Sequence, residues 1–389
     1  MKKIKNRDEV FDFFESYAQN SKEQIDSNKT RNPLLKTYVF ETFNEDLSSL
    51  HKKETAINNI LKGSDIDLTH IDESLFLITR NSIAVGFLEE INSRFSNLYT
   101  TIPANESDQL AKHVLKSSSL IDSMWISGKL FDELLSQTVE YHYPHRFTKL
   151  RFEYDFIYDK RNYIDEIIEH KASSISFVEE LENILHKING VRDYLTLFHA
   201  ISSMRLPSKS GAGGHDFYFN GKVTNRSTSF YDHRKQIIDT VNKYKNITEF
   251  VEKKAWISLE KTPSSIEDSF YTLKACPITI HFNEKIKPEV LEKFVYTVFP
   301  KGADPFKIIG EIKVVGKNRY HVYGTDMHLW QNLFIDISCT NMIVYLPYGT
   351  CGNTIHRLTT HIQKYIQPNI DVYIGDHSFN EIVSEAHNE

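Results

Sequence analysis

Apolar residues recur at three- and four-residue steps through the first half of the chain. The clearest runs are EVFDFFESYAQ (9–19), NSIAVGFLEEINSRFSNLY (81–99), SGKLFDELLSQTVEYH (127–142) and ISFVEELENILHKINGVRDYLTLFHAISSM (175–204). This spacing lines one face of a helix and predicts a helical region over residues 1–204. Turn signals separate the runs at NPLL near 32, IPANES near 103 and YHYPH near 141. RFTKLRFEYDFIYD (146–159) alternates as a strand does, but its neighbours favour helix.

The pattern breaks at LPSKSGAGG (206–214), where a proline ends the helix and small residues cannot continue it. Phe217-Tyr218-Phe219 and Lys222-Val223-Thr224 then flank Asn220-Gly221, a pair suited to a type I′ hairpin turn because both positions take positive φ. A helix is predicted to start near Ser229, whose hydroxyl can cap it, with Asp232 in the first turn facing the free amides. It continues through QIIDTVNKYK (236–245), and a second helix covers ITEFVEKKAWISLEK (247–261). Beyond Thr262-Pro263-Ser264-Ser265 the period changes to that of strands: CPITIHF, FKIIGEIKVVG, RYHVYGTD, LFIDIS, MIVYLP and IDVYIG, with helices at PEVLEKFVYTVF and GNTIHRLTTHIQKYI. The reading is an α+β protein in three parts. These are a helical domain (1–204), a glycine-rich loop, hairpin and basic helices (205–262), and an α+β domain (263–389) with a mostly antiparallel sheet and two or three helices.

Composition fits this picture. Of 389 residues, 40% are hydrophobic and 25% charged, with 20 Tyr and 25 Phe to fill a core. No stretch has the length of apolar residues a membrane helix needs, and the basic start is interrupted by acids as a signal peptide is not. Cys276, Cys339 and Cys351 lack paired spacing, which fits a reducing, cytoplasmic setting. A net charge of −6 argues against a general nucleic-acid coat. Between 205 and 262, however, Lys and Arg outnumber Asp and Glu by about five, so a local basic patch can direct a polyanion or phosphate-bearing ligand to one groove.

The candidate chemistry concentrates there. His215-Asp216 opens the hairpin, Asn225 follows it, and His233 lies in the first turn of the next helix. This arrangement resembles the ββα-metal motif of His-Asn-His nucleases. The resemblance implies His215 as general base, Asn225 as the amide that orients it, and Asp216 with His233 as ligands to a divalent metal, Mg2+ or Mn2+ with Zn2+ as a further option. Lys222, Arg226 and Arg234 would hold the phosphates. The usual order sets the acid before the base, and here His215 precedes Asp216. His233 also shares a stripe with Ile237, Val241 and Tyr244, so packing over the core is the competing reading.

Two other groupings carry chemistry. Arg192 and His199 stand seven residues apart with Thr196 between them, on one face of a continuous helix. The pair looks like the active-site motif of HEPN ribonucleases, which implies metal-independent RNA cleavage. Cys351 precedes a predicted helix beside His356, where the helix dipole favours a thiolate, and His321, His328 or Asp326 could supply a base. The leading expectation is a phosphodiester hydrolase acting on nucleic acid or nucleotide. The alternative class is a non-catalytic binding or assembly protein with a homo-oligomeric or other protein partner.

Overall fold

The computed structural model describes residues 6–26, 32–42, 61, 65–72, 74–141, 146–155, 172–210, 212–262, 270–274 and 276–385. The turn expected at 142–145 and the boundary residues 263–265 lie outside them. In chain order the elements begin with α1 (Arg7–Asp26), β1 (Lys36–Glu41), β2 (Ile66–Asp72), β3 (Leu75–Arg80), β4 (Ile83–Glu90), β5 (Phe95–Thr100), α2 (Ala104–Ser117), β6 (Asp122–Ser123) and α3 (Gly128–Tyr141). They continue with β7 (Phe147–Asp155), β8 (Ala172–Glu180), α4 (Leu181–Arg192), β9 (Ile201–Pro207), β10 (Gly214–Tyr218), β11 (Lys222–Asn225) and α5 (Phe230–Ala255). The last part holds β12 (Trp256–Thr262), β13 (Phe270–Lys274), β14 (Ile278–Phe282), α6 (Pro288–Val298), β15 (Ile308–Gly316), β16 (Arg319–Asp326), β17 (Gln331–Ser338), β18 (Asn341–Pro347), α7 (Asn353–Tyr365), β19 (Ile370–Ile374), β20 (His377–Ser378) and α8 (Phe379–Glu385).

Helices and antiparallel sheets are therefore mixed throughout the chain. Among the described residues the strands form two sheets. The first runs β2-β3-β4-β5-β1-β11-β10-β9-β7-β8, with β6 added to β1; the second runs β15-β16-β17-β18-β14-β19-β20, with β12 joining β18 and β13 joining β12. Pairing is antiparallel except between β12 and β18.

The expected helical character of 1–204 is corrected. Residues 83–100 form β4 and β5, and β1 to β9 all lie before residue 208. The run at 81–99 satisfies helical spacing, but its first two residues, Asn81 and Ser82, take φ of 51° and 62°, the positive values of a two-residue hairpin turn between β3 and β4. Asn92 closes the next turn by accepting from the amides of Arg94 and Phe95, each at 2.9 Å. The alternation in 147–155 does mark a strand, β7. The two helices expected over 236–261 are one helix, α5, which passes into β12 at Trp256.

The Asn220-Gly221 hairpin forms as β10 and β11. Gly221 has φ of 73°, and a side chain there would meet the Met124 carbonyl, so glycine is required twice over. The hairpin is central, not peripheral: β11 pairs with β1 and β10 with β9. Beyond the reach of β11, β6 pairs with Phe40 and Glu41 at the end of β1, which brings Asp122 opposite Glu41.

Helix α7 joins the two sheets. Its residues 353–363 are all buried, although the sequence NTIHRLTTHIQ is mostly polar. A helix buried on every side is ordinarily apolar. Here several of its polar groups meet partners from elsewhere in the chain. The Asn353 amide donates to Asp122 and to the Ser123 carbonyl, and Thr354 donates to Asp326. Arg357 reaches Asp122 on the first sheet, Asp326 on the second and the Phe306 carbonyl. Gln363 accepts from the Gly128 amide at 2.8 Å. Asp122, Asp326 and Arg357 are 0–1% exposed. Removing the cation leaves two sealed carboxylates with Lys307 as the remaining cation bonded to Asp122 among the described residues. Arg357→Met is expected to cost about 3–5 kcal/mol in a urea unfolding titration; a change below about 1 kcal/mol would show that the ion pairs are dispensable.

Candidate functional site

Two of the residues singled out in the sequence do meet. Strand alternation turns His215, Phe217, Val223 and Thr37 toward α5, whose first turn carries Asp232 and His233. The Ser229 hydroxyl accepts from the Asp232 amide at 3.2 Å, and Glu15 accepts from the amides of Phe230 and Tyr231, so protein oxygens occupy the start of this helix. His215 Nε2 lies 3.1 Å from Asp232 Oδ2, His233 Nδ1 lies 3.1 Å from His215 Nδ1, and His233 Nε2 lies 2.9 Å from Thr37 Oγ1.

The proton on His215 Nε2 follows from these contacts. Burial works against charge on Asp232, but donation from His215 and Ser208 outweighs it and holds the carboxyl well below its ordinary range. An ionised carboxylate only accepts, so His215 Nε2–H donates to it. One proton lies between His215 Nδ1 and His233 Nδ1, and the Thr37 hydroxyl meets His233 Nε2 at the far end. The result is a linear Thr37–His233–His215–Asp232 relay. Burial, and then His215, hold the His233 ring neutral, far below the ordinary 6.5. Each ring spends its two nitrogens on opposite neighbours, so the donor atoms do not converge on one point as metal ligands must.

The other residues of the expected nuclease site take other partners, Asn225 even though it stands opposite His215 in the ladder, and for each the geometry corrects the expectation. Asp216 alternates to the opposite face of β10, where Arg205 (2.6 Å) and Arg226 engage its carboxylate. Asn225 Oδ1 accepts from the Ser227 amide at 2.8 Å and its Nδ2 donates to the Ser229 carbonyl, so it holds the turn and not an imidazole. Lys222 donates to Asp108 at 2.6 Å, and Arg234 to Glu89 at 2.6 Å. Lys222 and Arg234 are thus matched by carboxylates from distant elements, Asp108 of α2 and Glu89 of β4. His215 and His233 are each 0% exposed.

The second grouping is also rearranged. Helix α4 ends at Arg192, and His199 lies on a separate 3-10 turn (Thr196–His199), so the two do not share a helical face. Arg192 donates to Asp132 at 2.5 Å and to the Phe198 carbonyl. Burial, with Arg192 and Lys129 nearby, lowers His199 to about 4.

Cys351 and His328 do come together, around Glu41 at the end of β1. Cys351 Sγ donates to Glu41 Oε1 at 3.2 Å, and His328 Nε2 is 2.9 Å from Glu41 Oε2. His328 Nδ1 donates to the Ser119 carbonyl at 2.8 Å. Arg94 donates to Glu41 at 2.8 Å and to Glu252 at 2.6 Å, and its Nη2 lies 3.3 Å from the sulfur. All are buried. The thiolate expected at a helix start is not favoured: burial and Glu41 push the Cys351 thiol well above its usual range. His356 instead faces Thr248, His321 lies near Asp336, and Asp326 holds Arg357 and Thr354.

Solvent reaches the relay's neighbourhood through a cavity of about 440 Å3 between α3, β9 and α5. Leu134, Leu206 and Pro207 form its apolar wall, and Lys209, Gln236, Asp239 and Lys243 its polar one. The Lys209 amide donates to Asp232 at 2.9 Å, and Gln236 Nε2 donates to the Pro207 carbonyl at 3.1 Å with Asp232 at 3.4 Å. Burial lowers Lys243 from its ordinary value. Among the described residues no helix is long and apolar enough to cross a membrane.

With this geometry in place, the chain was compared with known proteins. It matches the MJECL33-like protein family over residues 1–380. The chain belongs to that family. A relative described as uncharacterized protein MJECL33, from Methanocaldococcus jannaschii, is 24% identical over 406 residues, covering 93% of this chain and 92% of its own length. No solved structure matches.

One property of this MJECL33-like chain follows from its histidines. His233, His356 and His361 are sealed and held neutral by burial, with His356 lowered to about 3, and His199 is lowered too. His328 moves upward instead, through Glu41. Below about pH 6.5 the unfolded chain takes up protons that the four depressed rings refuse, so stability falls as pH falls. His361 has no hydrogen-bond partner on either ring nitrogen and packs edge-on against Trp125 at 4.5 Å. His361→Phe is expected to fold and to weaken the decline in unfolding midpoint between about pH 7 and 5. An unchanged slope would mean that the ring is not held neutral.

Proposed function

We propose that this protein binds a small phosphate-bearing ligand, such as a nucleotide, in the cavity between α3, β9 and α5. The observation that carries the reading is the pairing of an apolar wall with Lys209 and Lys243 in a space of about 440 Å3, within the size range of small-molecule sites. A lysine that burial has deprived of water gains from an anion what it has lost in hydration, and Lys243 is such a group. Lys209 is held only loosely by Asp239, at 3.8 Å, and can turn to a ligand. The three free cysteines support a reducing, cytoplasmic setting for this role.

A second reading, hydrolysis of a phosphodiester, is favoured by one observation. The hydrogen-bonded chain Thr37–His233–His215 ends on Asp232, which the Lys209 amide and Gln236 connect to the cavity. In that case Asp232 and His215 would tune a proton at the cavity floor without contacting a metal.

Calorimetric titration with a nucleoside monophosphate distinguishes these readings. Saturable binding is expected, weakened about tenfold by Lys243→Glu, with the ligand recovered intact. Binding that is indifferent to Lys243→Glu and Lys209→Glu would contradict the proposal. Ligand turnover abolished by His215→Gln would favour the second reading.

A further inference from the structure

We propose that Glu41, His328 and Cys351 form a buried site for a divalent metal, with zinc the ion their chemistry selects. Among the described residues these three offer an oxygen, an imidazole nitrogen and a sulfur that all lie within 4.8 Å of one another. Carboxylate, imidazole and thiolate together make a zinc ligand set; Mg2+ and Ca2+ prefer oxygen alone. The site is distinct from the cavity and from the His215 relay.

Two features beyond proximity point to a cation. The first is the ring of His328. Its Nδ1–H is committed to the Ser119 carbonyl at 2.8 Å, which turns Nε2 toward Glu41 and Cys351. A backbone carbonyl behind the far nitrogen is the support that metal-binding histidines ordinarily have. The second is the count of buried charge. The buried carboxylates Glu41, Glu252, Asp122 and Asp326 face Arg94, Arg357, the partly exposed Lys307 and the two protons that His328 Nε2 and Cys351 Sγ direct at Glu41. A divalent ion that took the place of those two protons would leave the net charge of the cluster unchanged. Burying a metal there therefore needs no new counter-ion. Glu41 can serve both roles, since Oε1 holds Arg94 while Oε2 faces the imidazole.

The three ligands are 0–2% exposed, so loading would accompany folding. The full chain, expressed with added zinc and desalted, is expected to carry one zinc per chain by elemental analysis. Cys351→Ser and His328→Gln should lose it, and Cys276→Ser should keep it. A folding defect in those variants does not block the test: wild-type chain unfolded in chelator and refolded with cobalt(II) alone should acquire a sulfur-to-cobalt charge-transfer band. A wild-type chain that purifies without metal and refolds in cobalt without that band would overturn the proposal. So would a bound cobalt lacking any sulfur contact.

Discussion

The structure depends on Arg357. Its guanidinium sits where water does not reach and binds Asp122 from one sheet and Asp326 from the other. A buried cation without partners is too costly to exist at neutral pH, so the fold forms only if both carboxylates arrive together. This makes α7 a polar strut between two layers. Its hydrogen bonds run to β6, β16, α3 and α5, and thereby fix the relative placement of elements far apart in sequence. Arg94 repeats the device one step away, joining β1 to α5 through Glu41 and Glu252.

The same logic separates structure from function among the polar residues. Buried charges with several close partners, such as Arg94 and Arg357, are committed to holding layers together. The His215 relay is sealed as well, but one end reaches Asp232, which the backbone of Lys209 and the side chain of Gln236 connect to a solvent-reaching cavity. Lys209, 3.8 Å from Asp239, is balanced less tightly than Lys222, Arg226 or Arg234, each of which has a carboxylate at close range. A ligand is more readily accommodated where cations are loosely held than where they are spent on ion pairs.

Local chemistry was legible in the sequence where the determinants are local. Asn220-Gly221 specified its hairpin, Ser229 its cap, and the alternation after residue 276 its strands, because turn geometry and side-chain period act over a few residues. The apolar positions of residues 81–99 suit a helix as well as strands, and the deciding signal is the turn at Asn81-Ser82. The meeting of His215 with His233 was foreseen; the departure of Asp216 was not, although the hairpin register already sends residue 216 to the other face. The burial of α7 was not readable at all. Its partners lie up to 235 residues away, and a polar helix alone reads as a surface one.

If buried charge unites the two sheets, they should open as one unit. Native-state hydrogen exchange measures this directly. The account predicts that the slowest amides of β1 and β5 and those of β14 and β18 exchange through one shared opening, with equal free energies and equal denaturant dependence. Two separate openings, one for each sheet, would contradict it.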